Sequence, residues 1–359
     1  MLNTPTWTVV LYDMSNHPIM DISSLISFNL TLVLNDVNEF SFTINTKKLE
    51  ELCASIGTTP RQVLYPARTE IKVWRNNILK FGGLIATLNT TYEEDGSTTS
   101  VTADSYLQYF ATRLLKKDYS STDRSQIAWD AINTVQSVSN GNLGVTHGTL
   151  ATIYNSDLTA DYQDVKSIIM GYTRYQPVTY DFEITPDKVF NTYTRLGSDK
   201  PEIELVYPQN ITSITVPRSS DTLYNKIIGL GSGIGKERLE SIQQDTTSQL
   251  TYRVREKKEL FNSVQLQATL DDNTEGVLEQ SSGVLELPTI SVTGDDLDID
   301  TTIVGDSVTV RIDGSTMCDD VNGLYRIYKM DISVDEDVNE KVSVSFFNPN
   351  SGGEIEQGA

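Results

Sequence analysis

Residues 69–86 read Thr-Glu-Ile-Lys-Val-Trp-Arg-Asn-Asn-Ile-Leu-Lys-Phe-Gly-Gly-Leu-Ile-Ala. Two short apolar runs flank Asn76-Asn77, and asparagine tolerates the positive φ angles that a tight hairpin turn requires. The stretch therefore predicts an antiparallel hairpin. Inside its second strand, Gly82-Gly83 predicts a bulge or a close approach of another segment of backbone.

The chain upstream of this hairpin alternates apolar and polar residues in the same way. Apolar side chains occupy every second position on both sides of a turn-forming segment, Asn35–Asn38: Phe28, Leu30, Leu32 and Leu34 before it, and Phe40, Phe42 and Ile44 after it. A period of two with one polar face predicts an antiparallel sheet whose other face covers a core. Downstream, Thr99–Thr102 predicts a strand and Tyr106–Leu115 a helix.

A short helix is predicted over Lys48–Gly57, where Leu49, Leu52, Cys53 and Ile56 fall on one helical face. Cys53 is therefore predicted to be a buried apolar residue rather than a nucleophile. Cys318 follows a turn-like segment and is predicted to be structural as well.

Residues 116–200 are predicted to form a small mixed α+β unit. Helical periodicity covers Arg124–Gln136 and Asp164–Tyr172, the polar residues 137–149 predict a loop, and Val178–Ile184 predicts a strand. Beyond residue 200 the pattern returns to strands, at Leu223–Leu230, Ser307–Ile312, Gly323–Val334 and Val342–Phe346.

One order of elements occurs twice: a strand, a turn, a long strand containing or preceded by glycine, an acidic turn and a further strand. The first copy is Thr69–Trp74, Leu79–Leu88 and Thr99–Thr102, and the second is Ser307–Ile312, Leu324–Val334 and Val342–Phe346. The match is one of pattern rather than of residue identity. It fits an internal duplication, and it equally fits the general similarity of antiparallel domains.

The charge balance limits the functions that the chain can have. Forty-nine acidic residues against 28 basic ones give a net charge of −21. Such a field repels phosphate and argues against a surface that grips DNA or RNA. With two histidines, His17 and His147, and two cysteines, the chain cannot build a histidine-rich zinc site or a disulfide framework.

The sequence shows neither a signal-peptide pattern at its start nor an apolar run of the ~20 residues that a membrane span needs. We therefore expect synthesis and folding in a reducing cytoplasm, that of a host bacterium once the resemblance below is considered.

Two segments resemble ligand-binding loops but lack the required spacing. Gly229–Lys236 has no glycine at the positions that a dinucleotide or phosphate loop needs, and it predicts a strand that leads into a glycine-rich loop. Asp296–Asp300 opens like a calcium loop, but Thr301 replaces the required glycine and Ser307 the closing glutamate. A solvated acidic turn is favoured, and a weak calcium site of another geometry stays open.

No catalytic constellation emerges from the sequence. A cysteine or serine nucleophile needs a histidine partner, and His147 lies in a polar stretch with no such anchor. Paired carboxylates for glycan hydrolysis stay open among so many acidic residues. We predict no catalytic, cofactor-binding or metal-binding residues and no cofactor.

Taken together, several segments resemble the tail-tip or baseplate hub proteins of tailed phages. The resemblance covers nearly the whole chain in the family's order, although each motif alone is degenerate. It is carried by Val73–Ile85, Val101–Leu114, Asp181–Ile184, Tyr193–Gly197, Asn210–Ile214, Leu223–Gly231, Gly305–Val310 and the closing strands to Phe347.

This resemblance implies a mainly β fold with α+β decorations, in which two tube-forming, antiparallel β-barrel-like domains carry two smaller outer domains. It also favours the internal duplication. The implied ranges are 1–115 for the first tube domain, 116–200 for the mixed α+β outer domain, 201–235 with 289–348 for the second tube domain, 236–288 for an inserted outer domain and 349–359 for a flexible tail.

The implied function is that of a structural, non-enzymatic hub in the virion, at the tail tip or baseplate. Three subunits would form a pseudo-hexameric ring that closes or extends the tail tube and gates the passage of DNA. Implied partners are two further copies of the chain, a distal-tail or tail-tube ring, a tape-measure protein and a fibre, spike or receptor-binding protein. DNA would pass in transit without being bound, and we hypothesise that acidic side chains line the lumen.

Two other functions stay open. One is an all-β glycan-active enzyme or carbohydrate-binding module, although Trp7, Trp74 and Trp129 are predicted to lie in strands or in a helix core rather than on a sugar-binding platform. The other is the hub of a phage-derived contractile injection system.

Overall fold

The computed structural model describes residues 5–22, 26–94, 96–173, 178–215, 219–262, 264–283, 289–293, 297–313, 321–335 and 339–346. Cys318, Asp296 and the predicted tail at 349–359 lie outside these residues. The described chain is mainly β, and its largest sheet is mostly antiparallel, which confirms the predicted fold class.

The bounds of the elements follow in chain order. Up to residue 105 they are β1 (Trp7–Tyr12), β2 (Pro18–Asp21), β3 (Ile26–Val33), β4 (Glu39–Asn45), α1 (Thr46–Ser55), α2 (Pro60–Val63), β5 (Glu70–Arg75), β6 (Ile78–Glu93) and β7 (Gly96–Ser105). Next come a 3₁₀ helix (Tyr106–Thr112), β8 (Leu114–Asp123), α3 (Arg124–Gln136), β9 (Thr146–Leu150), β10 (Asn155–Asp164), α4 (Val165–Gly171), β11 (Asp181–Ile184) and β12 (Val189–Tyr193). The last part holds β13 (Asp199–Val206), β14 (Ile211–Thr215), β15 (Lys226–Leu230), a 3₁₀ turn (Gly235–Glu237), β16 (Glu240–Gln244), α5 (Thr246–Tyr252), β17 (Glu256–Leu260), α6 (Gln267–Ser281), β18 (Thr289–Thr293), β19 (Ser307–Ile312), β20 (Val321–Val334) and β21 (Glu340–Phe346).

The hairpin predicted from residues 69–86 is present as β5 and β6. Asn76 and Asn77 form its two-residue turn with φ angles of 49° and 67°. A Cβ atom on Gly82 would lie 2.3 Å from the carbonyl oxygen of Pro186, and one on Gly83 would lie 2.2 Å from that of Asp104. The glycine pair therefore marks a close approach of backbone, as predicted.

One large sheet runs through both ends of the chain. Its strand order is β14-β18-β21-β20-β3-β4-β7-β6-β5-β1-β2, and β19 and β13 branch from β20. The two halves meet where β20 pairs antiparallel with β3, from Lys329 opposite Val33 to Val334 opposite Phe28. A single hydrophobic core includes residues of both halves, so the two halves fold as one body.

The two halves repeat each other in hydrogen-bond register. In β6, pairing with β7 slips by one residue after Ile85, and in β20, pairing with β21 slips by one residue after Ile327. The amide of Ile85 donates to the carbonyl of Thr69 at 3.0 Å, and that of Ile327 donates to the carbonyl of Asp306 at 2.8 Å. The repeated order of elements indicated by the sequence pattern is therefore present in the structure, with β3, β4, β7 and β6 corresponding to β14, β18, β21 and β20.

Residues 107–190 contribute a second hydrophobic core. It is built on helices α3 and α4, the β8–β10 pair and the sheet of β9, β12 and β11. The helices at Arg124–Gln136 and Val165–Gly171 agree with the prediction. Two details differ from it: Tyr106–Leu115 forms a 3₁₀ helix that ends at Thr112, and the predicted loop contains β9, a polar strand whose partner is β12 in parallel.

The strand predicted at Leu223–Leu230 is present as β15, but it does not join the large sheet. It pairs with β16 antiparallel and with β17 in parallel, and α6 packs against this small sheet. A Cβ on Gly229 would lie 2.0 Å from the Thr274 side chain of α6, which shows how closely the helix and strand pack. The boundary placed at residue 235 from the sequence is therefore corrected, because β15 belongs with the inserted segment.

Candidate functional site

The large sheet has one face in the core and one face open. Eight strands, in the order β14-β18-β21-β20-β3-β4-β7-β6, form a continuous surface across both halves. The side chains that point away from the core are almost all hydroxyls and amides, and we call this surface the open face. Its uncharged polar members are Ser27, Asn29, Thr31, Ser41, Thr43, Asn45, Thr87, Asn89, Thr91, Thr98, Ser100, Thr102, Ser213, Thr215, Thr289, Ser291, Ser333, Ser343 and Ser345.

Hydroxyl pairs link neighbouring strands of the open face in the same way in both halves. Thr43 and Ser100 share a hydrogen bond of 3.1 Å, and the corresponding Ser291 and Ser343 share one of 3.0 Å. Across the junction of the halves, the Thr31 hydroxyl donates to Asp331 at 2.7 Å. These side chains therefore form a regular lattice of hydrogen-bonded hydroxyls across the strands rather than a pocket.

The open face carries little net charge. Its described acidic residues are Glu39, Glu93, Asp104 and Asp331, and its described basic residues are Lys329 and Lys341. Lys329 and Asp331 form an ion pair at 3.0 Å. Burial raises the pKa of Asp104, while the charge of Lys166 lowers it, with a net upward shift.

A buried charge cluster joins the two halves on the core side of the sheet. The guanidinium of Arg75 donates to both carboxylate oxygens of Glu340 and to Asp300 at 2.5 Å. Lys80 lies 3.2 Å from the other oxygen of Asp300. Burial lowers the pKa of Lys80, and the hydrogen bond and charge of Asp300 raise it, with a net downward shift.

The α+β unit is held against the sheet by two polar anchors. Lys188 forms a 2.7 Å ion pair with Glu70, and the Tyr106 hydroxyl donates to the same carboxylate at 2.9 Å. Asp181 accepts from Asn35 at 2.8 Å and from the amide of Leu196 at 2.6 Å. Asp181 also pairs with Arg326 of β20, so this one carboxylate contacts both halves.

The residues considered individually in the sequence are dispersed. Cys53 is fully buried in the first core, as predicted, and desolvation raises the pKa of its thiol. His17 lies in an exposed turn beside Asp13, at 3.3 Å. His147 lies on β9, where its ring packs against that of Trp129 with a centroid distance of 4.8 Å and the two planes tilted by 59°.

The two remaining tryptophans and the described residues of the acidic loop motif make structural contacts. Trp7 lies in β1 and donates to Glu340 at 2.5 Å, and Trp74 lies in β5 beside the ring of Tyr12. Within Asp296–Asp300, the carboxylate of Asp298 accepts from the amide of Asp300 at 2.9 Å, while Asp300 contacts Arg75.

Within the described residues, no three carboxylate, histidine or cysteine side chains converge as metal ligands, and no helix is both long and apolar enough to span a membrane.

Several solved structures of phage tail proteins share this arrangement over almost the whole chain. A tail protein from Neisseria meningitidis MC58 superposes with a TM-score of 0.64 at 12% identity, over 96% of this chain and 97% of that one. The 43 kDa tail protein of prophage MuSo2 from Shewanella oneidensis gives a TM-score of 0.64 at 11% identity, over 96% and 99% of the two chains. The chain has the fold of phage tail proteins. The resemblance drawn from the sequence is thus confirmed at the level of the fold.

The tail-protein fold also extends to a secretion system. The Escherichia coli c3393 protein, described as a component of the type VI secretion system with structural similarity to T4 tail proteins gp27 and gp5, gives a TM-score of 0.50 at 9% identity. The superposition covers 92% of this chain and 76% of that one. No family model and no curated protein matches the sequence.

Proposed function

We propose that this chain is the structural hub of a phage tail tip or baseplate, in which three copies form a ring of six equivalent units. The observation that carries the proposal is the side-by-side repetition of a four-stranded unit within one chain, joined through β3 and β20. Two such units per chain let a trimer present six-fold pseudo-symmetry to a six-fold tail tube. A likeness to tail proteins over almost the full chain supports the same role.

In this ring the open face lines the channel. Each chain supplies eight strands to it, so three chains supply twenty-four. Barrels of 16 or more strands leave an aqueous channel rather than a packed interior. The hydrophobic side of the sheet then packs against the rest of the subunit, as observed.

The composition of the open face suits the passage of DNA without binding. Phosphate is held mainly by lysine and arginine, and the described part of the face has two lysines against four carboxylates. We therefore propose a hydrated, weakly negative lumen in place of the strongly acidic one hypothesised from composition. Most of the acidic excess then lies elsewhere on the subunit.

The α+β unit and the inserted segment would lie outside the channel. There they are placed to contact a distal-tail or tail-tube ring above and a fibre, spike or receptor-binding protein below, while a tape-measure protein would occupy the channel. The proposed location is therefore the virion tail tip. Its role is architectural, without a reaction of its own, and it would open to DNA by a change at the centre of the trimer.

A second candidate is the hub of a contractile injection system, which the similarity to the type VI secretion component favours. The two differ in what they deliver. Particles that carry this chain would have DNA-filled heads in a phage and would be headless in an injection system. Labelled electron microscopy of particles from the producing cells decides between them.

The test of the ring is the mass of the purified chain by light scattering at two concentrations, alone and with its tail neighbours. A mass of three times 40.0 kDa supports the hub. A chain that stays monomeric with every tail neighbour contradicts it. If that monomer also binds or cleaves a glycan, the glycan-active alternative takes its place.

A further inference from the structure

A cavity of about 280 Å³ lies where the first half, the α+β unit and the second half of the chain meet. The first half contributes the β3–β4 turn and the start of β6, the α+β unit contributes residues 182–186, and the second half contributes residues 299–304. Ile78 and Ile303 line the cavity and are each 44% exposed, so it opens to solvent beside these two side chains.

Most of the cavity wall is apolar. Leu34, Phe182 and Ile299 line it, and each is at most 3% exposed. Such a wall favours an apolar ligand, because moving apolar surface out of water is favourable. Since a cavity of about 150 Å³ holds benzene, this one has room for about ten non-hydrogen atoms.

Three polar side chains that line the cavity have unused hydrogen-bonding capacity. Thr302 is 1% exposed, and among the described residues its hydroxyl has no hydrogen-bond partner. The buried Oδ1 atom of Asp300 lies 3.2 Å from the Lys80 ammonium. That ammonium also donates to the carbonyl of Ile299 at 2.6 Å, and a third N–H is left over. Because buried polar groups are normally hydrogen-bonded, these groups indicate that the ligand carries a polar group as well.

The charges around the cavity select an uncharged polar group. A carboxylate would meet Asp300 in a lining that holds Asp36 and Glu183 as well, against the single cation of Lys80. An ammonium would lie beside Lys80, whose own charge is already disfavoured by burial. A hydroxyl can accept from Lys80 and donate to Asp300 or Thr302, so it meets the requirements of all three.

We propose that this cavity binds a small uncharged amphiphile, an aliphatic alcohol of about six to ten carbons. Its hydroxyl bonds to Lys80 and Thr302, and its chain lies along Leu34, Phe182 and Ile299. Because the ligand contacts all three parts of the chain at their junction, it binds the folded chain and stabilises it. This site goes beyond the hub role and does not depend on it.

The probe is 1-octanol, with octanoate and octylammonium as charged analogues of the same chain length. Saturation-transfer NMR titrations of the full chain at about pH 7 measure the three dissociation constants. We expect 1-octanol to bind saturably and at least tenfold more tightly than either analogue, because each analogue buries a charge beside a like charge. We also expect 1-octanol to raise the temperature of thermal unfolding.

Two variants test the two ends of the ligand. Thr302→Val keeps the shape of the side chain, removes the hydroxyl and should weaken 1-octanol about three- to tenfold, the value of one hydrogen bond. Val304→Phe adds a ring to the cavity wall and should abolish saturable binding. The matched control is Thr91→Val, which removes an exposed hydroxyl on the open face and should leave binding unchanged. Thermal unfolding without ligand shows that each variant is folded.

Equal binding of 1-octanol by the parent and both cavity variants would place it elsewhere on the surface and overturn the site. Tighter binding of octanoate or octylammonium than of 1-octanol would overturn the uncharged ligand. The cavity is not a ligand site if none of the three probes binds saturably up to the solubility limit of 1-octanol. The mass measurement that tests the hub is independent of all these outcomes.

Discussion

Arg75 on β5 and Glu340 at the start of β21 form a buried, two-bond ion pair between the two halves of the chain. The Nε–Oε1 distance is 2.8 Å and the Nη2–Oε2 distance is 3.0 Å, and the side chains are 8% and 4% exposed. Burial alone would lower the pKa of Arg75, but the hydrogen bonds and charges of Glu340 and Asp300 hold it above its usual value. The pair fixes one half of the chain against the other.

Replacing Arg75 with methionine should lower the free energy of unfolding by about 3–5 kcal/mol, because Glu340 loses its counter-charge while staying buried and Asp300 is left with Lys80 as its cation. Urea denaturation monitored by circular dichroism measures this loss of unfolding free energy. The matched control is Arg311→Met, which breaks the exposed pair with Glu204 at 3.3 Å and should cost about 0–1 kcal/mol. Equal losses for the two variants would show that the junction does not depend on this pair.

The hairpin, the main helices and the repeat could be predicted from the sequence, because each is encoded by local spacing. Asn76-Asn77 tolerates the positive φ angles that a two-residue hairpin turn needs, and a period of two assigns side chains to two faces. The pairing partners could not be predicted in the same way. Lys226–Leu230 reads as a core strand, yet its neighbours are β16 and β17, since an apolar strand does not specify which sheet it joins.

The open face was visible in the sequence only as the polar half of each alternation. Thr43 and Ser100 are 57 positions apart, and Ser291 and Ser343 are 52 apart, so their hydrogen bonds depend on register between distant strands. The hydrogen bond between Asn35 and Asp181 likewise joins residues that are 146 positions apart in the chain. Contacts of this kind follow from topology and leave no local signal.

The backbones of Gly197 and Gly305 are in close contact at the point where the chain passes from the α+β unit into the second half. Gly197 has φ of 84°, and a Cβ there would lie 2.2 Å from the carbonyl carbon of Gly305. Gly197→Ala should therefore lower the free energy of unfolding by about 1–3 kcal/mol through strain and overlap. Gly283→Ala, where a Cβ meets nothing within 4 Å, is the control and should change stability little. Differential scanning calorimetry of both variants makes the comparison, and a Gly197→Ala protein as stable as the control would contradict this close contact.

The Asp306 carboxyl should make the free energy of unfolding depend on pH in the acidic range. Burial alone would raise the pKa of this carboxyl, but hydrogen bonds from the amides of Ile303 and Ser198, at 2.9 and 2.8 Å, and from Lys200 hold it below its usual value. A carboxyl whose pKa is lower in the folded chain than in the unfolded chain stabilises the fold at pH values above its unfolded-state pKa of about 3.9. This stabilisation is lost as the pH falls through the folded-state pKa. The stability difference between the parent and Asp306→Asn should thus be largest near pH 7 and shrink below about pH 4.

Urea midpoints from pH 3 to pH 7 measure this dependence, and Lys200→Met is the companion variant. It should give a smaller loss at pH 7, because the two backbone donors still hold the carboxylate. If the stability difference between the parent and Asp306→Asn stays constant down to pH 3, Asp306 titrates alike in the folded and unfolded chains.

In the proposed ring of three chains, the low positive charge of the open face should be what lets DNA pass without being held. Ser41 and Ser343 lie on this face, in β4 and β21, and the double variant Ser41→Lys with Ser343→Lys adds six cations to a ring of three. Since each phosphate contact releases counterions, the variant ring should bind short duplex DNA at least tenfold more tightly than the parent at about 50 mM salt, and lose that gain at about 200 mM.

Glu50→Lys is the matched control, because it changes the net charge of the chain by the same amount on the exposed side of α1, a helix whose other side packs in the core. Fluorescence anisotropy on the assembled rings compares the three proteins, and equal binding by both variants would mean that total charge, rather than the charge of the open face, keeps DNA from binding.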